Sequence, residues 1–148
     1  MKRIKYVLFM MLAAHSMLSC DIHTSDNGQM DGFWQLTQTD TLSNGRSEDM
    51  RDRKIFWSVQ SNLLKMEELL ERDAYHTILY RFEQHGDFLR VYDPIVDRRE
   101  ISDSIVRDVQ TVRHYGLDQL DQTLHIVYLE DTKMALETER LRMYFRKY

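Results

Sequence analysis

Hydrophobic and polar residues alternate along several short stretches of this chain. In segment 32–39 (GFWQLTQT), Trp34 and Leu36 fall on one side and Gln35 and Thr37 on the other. Segment 54–60 (KIFWSVQ) groups Ile55, Trp57 and Val59, and segment 75–83 (YHTILYRFE) groups Ile78, Tyr80 and Phe82. Segments 87–92 (DFLRVY), 122–129 (QTLHIVYL), 133–138 (KMALET) and 140–147 (RLRMYFRK) are rich in strand-favouring residues. In these, Leu124, Ile126 and Tyr128 share one face, as do Leu141, Met143 and Phe145. A two-residue period is that of a strand with one face buried, and β-branched and aromatic residues suit a pleated surface. Segment 63–71 (LLKMEELLE) has a helix-favouring composition, yet its place between two strands favours a third.

Turn chemistry separates these runs. Asn44-Gly45 sits in a long link over 40–53, and His85-Gly86-Asp87, Glu130-Asp131-Thr132 and Thr138-Glu139 are short reversals. One stretch departs from the β pattern. Ile101, Ile105, Val109 and Val112 recur at helical spacing between Glu100 and Tyr115, with Asp97 or Ser102 as a cap and Gly116 as a stop. The pattern predicts a mainly all-β domain, an antiparallel up-and-down β-barrel of about eight strands with one short helix. Closing the sheet removes exposed edges, and an eight-stranded barrel is either filled by side chains or holds one small ligand.

Composition adds little to this picture until charge is placed along the chain. With 148 residues, 43% hydrophobic and 30% charged, the sequence suits one folded domain. Lys2, Arg3 and Lys5 open the chain, and Tyr6–Ala14 (YVLFMMLAA) follows as an apolar run too short to span a bilayer as a helix. Residues 1–19 thus read as an export signal. Cleavage before Cys20 removes three of the 20 cations and none of the 24 anions, taking the net charge from −4 to −7. An acidic domain without a basic stripe repels phosphate backbones, which argues against a nucleic-acid partner.

Cys20 is the single cysteine, so no disulfide can form within one chain. Met17-Leu18-Ser19-Cys20 resembles the lipobox of bacterial lipoproteins, with Ser19 at its small position and Met17 where Leu is usual. The resemblance implies diacylglycerol on Cys20, cleavage before it, a membrane partner through the lipid, and a place in the cell envelope. The competing reading is an ordinary secretory signal that happens to contain a Cys. Residues 20–31 then form a polar tether, and the domain spans 32–148.

Gly32-Phe33-Trp34 at the head of the first strand resembles the G-x-W opening of lipocalins and the wider calycin group. Together with RFEQHGDFLRVYDPIVDRRE and the tail KMALETERLRMYFRKY, it resembles a lipocalin-like domain of unknown function found in bacterial envelope lipoproteins. The resemblance covers Gly32 to Tyr148. It implies a basic residue of the last strand packed over Trp34 at the closed end of the barrel, with Arg146 the best match by position and Arg142 the second. It also implies that link 40–53 stands where a long loop lids lipocalin pockets. Two departures are the stop at Tyr148, with no helix after the last strand, and the lack of paired cysteines.

Catalytic chemistry finds no foothold in the sequence. The six His form no H-x-x-x-H or H-E-x-x-H pair, so a metal site would need long-range convergence. No G-x-S-x-G nucleophile motif or glycine-rich phosphate loop occurs, and Glu67-Glu68 and Asp97/Glu100 read as solvated carboxylates. Arg98-Arg99-Glu100 is either an anion contact or paired with neighbouring carboxylates. The sequence therefore predicts no enzyme, no cofactor and no metal. Leu36, Trp57, Tyr80, Phe82, Ile126 and Tyr128 are the candidate ligand-binding residues. Two functions stand side by side. In one, a lipid-anchored barrel binds a small, partly apolar ligand at its mouth. In the other, a filled barrel acts through its surface as an interaction or inhibitor module.

Overall fold

Strand β1 (Gly32–Thr41) begins a sheet that ends by pairing with its own first strand. The other strands are β2 (Arg46–Asp49), β3 (Ile55–Gln60), β4 (Leu63–Glu68), β5 (His76–His85), β6 (Phe88–Val96), β7 (Ser104–Ile105), β8 (Gln122–Leu129), β9 (Lys133–Glu137) and β10 (Leu141–Lys147). The computed structural model describes residues 25–69, 76–97 and 104–148. The leader, Cys20 and Arg98-Arg99-Glu100 lie outside the described residues.

The strand order is β10-β9-β8-β6-β5-β4-β3-β1, and β10 pairs with β1, which closes an eight-stranded antiparallel barrel. The expected fold class is therefore present, and segment 63–68 is a strand. β2 is the short strand that link 40–53 contains. It pairs with the second half of β1 (Gln38↔Asp49 to Thr41↔Arg46), while β3 takes the first half (Gly32↔Val59 to Gln35↔Phe56). A 3-10 turn at Arg51–Arg53 interrupts the two, so β2 and β3 together occupy one barrel position.

Inward side chains make one core, including Trp34, Leu36, Trp57, Met66, Ile78, Tyr80, Leu89, Val91, Leu124, Leu136, Met143 and Phe145. This is the alternation read from sequence, with strand faces set by burial. Three β-bulges shift it. Thr37 is the extra residue in β1 against β10, Val127 the extra residue in β8 against β9, and Asp93-Pro94 face the single Tyr80 of β5. Asp93 takes φ +54°, the left-handed conformation that such a bulge imposes. The bulge also lets β6 run through Pro94, which a regular central strand would exclude.

The helix expected over 100–115 is a single turn, α1 (Gln110–Arg113). Ser104-Ile105 instead extend the sheet beside Ile95 and Val96, and Val106 donates its N–H to Pro94 O at 2.9 Å. β-branched Ile105 and Val106 suit this better than a helix, and tertiary pairing overrides the i, i+4 spacing.

Candidate functional site

At the end where β1 starts, the chain seals the barrel before the first strand. Met30 is fully buried, and Trp34 Nε1 donates to Met30 O at 2.9 Å. Ser25 and Asn27 donate to Asp31, and both bond to Ser61 in the β3–β4 turn. Burial would raise the Asp31 carboxyl, but the hydrogen bonds from Ser25 and Asn27, with the Lys147 charge, hold it below its ordinary value. Residues 25–31 thus belong to the fold and not to a flexible tether.

The cation over Trp34 is Lys147, with Nζ 4.7 Å from the ring centroid, and neither Arg146 nor Arg142. Strand parity is the reason. Met143 and Phe145 face inward, so Lys147 does too, opposite Trp34, while Arg146 and Arg142 face out. Arg146 donates to Gln35 Oε1 at 3.1 Å and lies 5.6 Å from the Tyr148 ring, and Arg142 pairs with Glu137 at 2.7 Å. Lys147 Nζ also donates to Gln29 O. Gly32 makes room for this. At φ +132°, a Cβ there would sit 2.6 Å from Lys147 Cε, so the glycine of G-x-W serves the cation over the tryptophan.

At the opposite end, residues 104–121 fold across the barrel. Val112, Tyr115 and Leu117 are fully buried in the core cluster. Gly116 passes so close to Met143 that a Cβ would lie 2.1 Å from its Sδ. Asp118 accepts from Arg140 Nε at 2.8 Å, and the Gln122 side chain accepts from the N–H groups of Asp118 and Gln119. Glu68, itself buried, accepts from Arg53 at 3.2 Å and stands 3.8 Å from His114 Nε2. Burial, with the charges of Glu68 and Glu67, pushes the Tyr115 phenol above its ordinary value. Sequence reasoning missed this cap. Its one signal was the apolar Tyr115 and Leu117 around Gly116, in a segment too polar to be a strand.

Of the sequence-derived candidates, Leu36, Trp57 and Tyr80 lie on the inner wall, Trp57 directly across from Trp34, and are 0–1% exposed. The Trp57 ring meets Phe145 at 5.0 Å between centroids. Phe82 and Ile126 also face in, nearer the end where β1 starts, and each is 7% exposed. Tyr128 does not join them. The bulge at Val127 turns it to the outer face, beside Ala135, and sends Leu129 inward in its place. Trp57 Nε1 and Tyr80 Oη are buried without a hydrogen-bond partner, and burial pushes the Tyr80 phenol above its ordinary value. Among the described residues no three His, Cys, Asp or Glu side chains converge as metal ligands.

A closed eight-stranded antiparallel barrel, sealed where a G-x-W tryptophan lies under a basic side chain, defines the lipocalin-like class of binding folds. The sequence profile of the lipocalin-like domain family matches residues 11–148, and the chain belongs to that family. A lipocalin-like protein from Bacteroides uniformis is 21% identical, with a TM-score of 0.63, over 82% of this chain and 100% of that one. An uncharacterized protein from Bacteroides eggerthii is 17% identical, with a TM-score of 0.62, over 80% of this chain and 99% of that one. At these identities the likeness concerns the fold. No curated protein matches the chain.

Proposed function

We propose that this protein is a lipid-anchored envelope protein whose barrel binds a small, partly apolar ligand beneath the cap formed by residues 104–121, and that it is not an enzyme. The observation that carries this reading is the pair of unpartnered polar groups, Trp57 Nε1 and Tyr80 Oη, in an otherwise apolar interior. A buried polar group without a partner costs about 1–3 kcal/mol, and a ligand with a polar tip on an apolar body would satisfy it. Because Leu36, Trp57 and Tyr80 are packed, the ligand must displace the cap rather than enter an open cup.

The anchor rests on the leader and on Ser19-Cys20. Ser25 is five residue steps from Cys20, a reach of at most about 18 Å when fully extended. Lipid on Cys20 would therefore hold the Trp34 end against the bilayer and point the cap toward the aqueous side. Cys20→Ala should move the protein from the membrane to the soluble fraction or leave it uncleaved. Identical fractionation and no acyl chain by mass spectrometry would remove the anchor from this reading.

Ligand binding is tested on the full chain with cis-parinaric acid, an apolar chain with a carboxylate tip. Saturable one-to-one fluorescence enhancement is expected, stronger in Leu117→Ala and about tenfold weaker in Tyr80→Phe, from loss of one hydrogen bond. No saturable signal in either wild type or Leu117→Ala defeats it. The second reading, a filled barrel acting through its outer surface, is favoured by the complete burial of Leu36, Tyr80 and Leu117.

A further inference from the structure

Two of the bulges have a joint effect on the outer wall. With Thr37 and Val127 as extra residues, one transverse outward row crosses five strands: Tyr128, Ala135, Tyr144, Gln38 and Asp49. Ala135 is fully buried between its two tyrosine neighbours, so the row is low at its centre and aromatic on both sides. Tyr144 is fixed by the bond from its hydroxyl to Asp40 Oδ2 at 2.9 Å. Bulges are often retained next to sites because they re-aim a side chain, and the bulge at Val127 does so for Tyr128.

Two residues along the strands, Lys133 and Arg146 stand directly opposite each other on β9 and β10. Like charges facing across a strand pair are unfavourable, and most other arginines of the barrel wall avoid the problem by pairing. Arg51 holds Asp49, Arg90 holds Asp121, Arg140 holds Asp118 and Arg142 holds Glu137. Among the described residues, no carboxylate lies within ion-pair distance of Lys133 or Arg146. Arg146 is nonetheless held in place, by Gln35 and the Tyr148 ring. Lys133, Arg146, Tyr128 and Tyr144 line one groove of about 630 Å³, together with Glu48 and with Asp49, which Arg51 neutralises.

We propose that this groove is a second binding site, separate from the barrel interior, for an acidic sugar. A sugar ring lies in the groove against the Tyr128 and Tyr144 faces, and its carboxylate meets Lys133 and Arg146. The spacing fits, since residues two apart on a strand are about 7 Å apart, which spans a ring, its carboxylate and one ion pair. The unpaired cations select the anion, and the aromatic row selects a flat, partly apolar body over a bare phosphate. The site owes nothing to the cap or the interior, so the two proposals fail separately.

The test is calorimetric titration of the full chain with tetragalacturonate and with its fully methyl-esterified form, which keeps the rings and loses the charge. The acid should bind saturably, and the ester about tenfold or more weaker. Arg146→Gln and Lys133→Gln should each weaken the acid by a similar factor. Tyr128→Ala should weaken both forms, and all three variants should stay folded, with unfolding temperatures within about 5 °C of wild type. No saturable heat from wild type at millimolar acid, equal affinity for acid and ester, or Lys133 and Arg146 variants that bind as wild type would each overturn the proposal. Inorganic phosphate competing as well as the sugar would also overturn it.

Discussion

The end of the barrel where β1 starts is closed by directional bonds from residues close in space to the sheet's own first and last strands. Trp34 Nε1 reaches Met30 O, Lys147 reaches Gln29 O, and the Ser25–Asn27–Asp31 group holds the β3–β4 turn. The opposite end is closed by one segment of chain, residues 104–121, whose hold is chiefly the burial of Val112, Tyr115 and Leu117. A hydrogen-bonded seal built into the barrel wall can open only with the barrel. The part of that segment beyond Val106 can lift as a unit, because past the sheet bonds of Ser104-Ile105 and Val106 it is held mainly by side chains and its regular structure is one helical turn. The comparison teaches where the proposed ligand uptake would find its flexibility, at the cap and not at the tryptophan end.

The sharpest way to break this comparison is at Trp34. Trp34→Ala removes a fully buried indole, empties its volume and orphans the Met30 carbonyl, so a loss of about 3–5 kcal/mol is expected. Urea denaturation measures it, and against a total of about 5–15 kcal/mol the variant should be barely folded or unfolded. A wild-type midpoint would mean that this end is not what holds the barrel. Leu117→Ala should cost less, about 2–3 kcal/mol, at the low end for a buried leucine because a lifted cap can relax around the loss. Its hydrogen exchange should rise over 104–121 and stay unchanged in β1 and β10. Uniform acceleration everywhere would show that cap and barrel open together.

Gly32→Ala comes next, at about 1–3 kcal/mol, since it forces a Cβ onto Lys147 at a φ that L-residues avoid. Raising the pH should weaken the fold by a comparable amount. Burial holds the Tyr80 and Tyr115 phenols neutral above their ordinary value in the folded state, whereas unfolded tyrosines ionise near 10. Above about pH 10 the unfolded chain therefore binds fewer protons, and stability falls by about 1.4 kcal/mol per pH unit for each phenol. Tyr80→Phe should lower that slope by one phenol's share, since Tyr92 and Tyr128 are also raised; an unchanged slope would place the loss elsewhere. The smallest effect separates the two basic neighbours. Lys147→Ala should cost about 1 kcal/mol through its contact with Trp34, while Arg146→Ala should cost less than half of that. The reverse order would restore Arg146 as the residue over the ring.

The alternation of Trp34 and Leu36, of Ile55, Trp57 and Val59, and of Leu141, Met143 and Phe145 was enough to place strands, because burying one face of a pleated strand imposes a two-residue period. That same rule put Lys147 on the inner face beside Phe145, so choosing Arg146 was a misreading of a legible pattern. Tyr128 was a different matter. Whether it faces in or out depends on the extra residue at Val127, and a bulge exists only relative to the register of the neighbouring strand. Residues 104–121 were hidden for a similar reason. Valines at helical spacing satisfy a helix or a packed irregular segment equally well, and only the barrel end they cover decides between them. Local pattern thus determined the strands, the reversals between them and the G-x-W tryptophan, since period and turn chemistry are properties of neighbours in sequence. The faces beyond each bulge, the cap and the groove beside Ala135 were decided by tertiary structure, since each depends on which distant residues stand opposite.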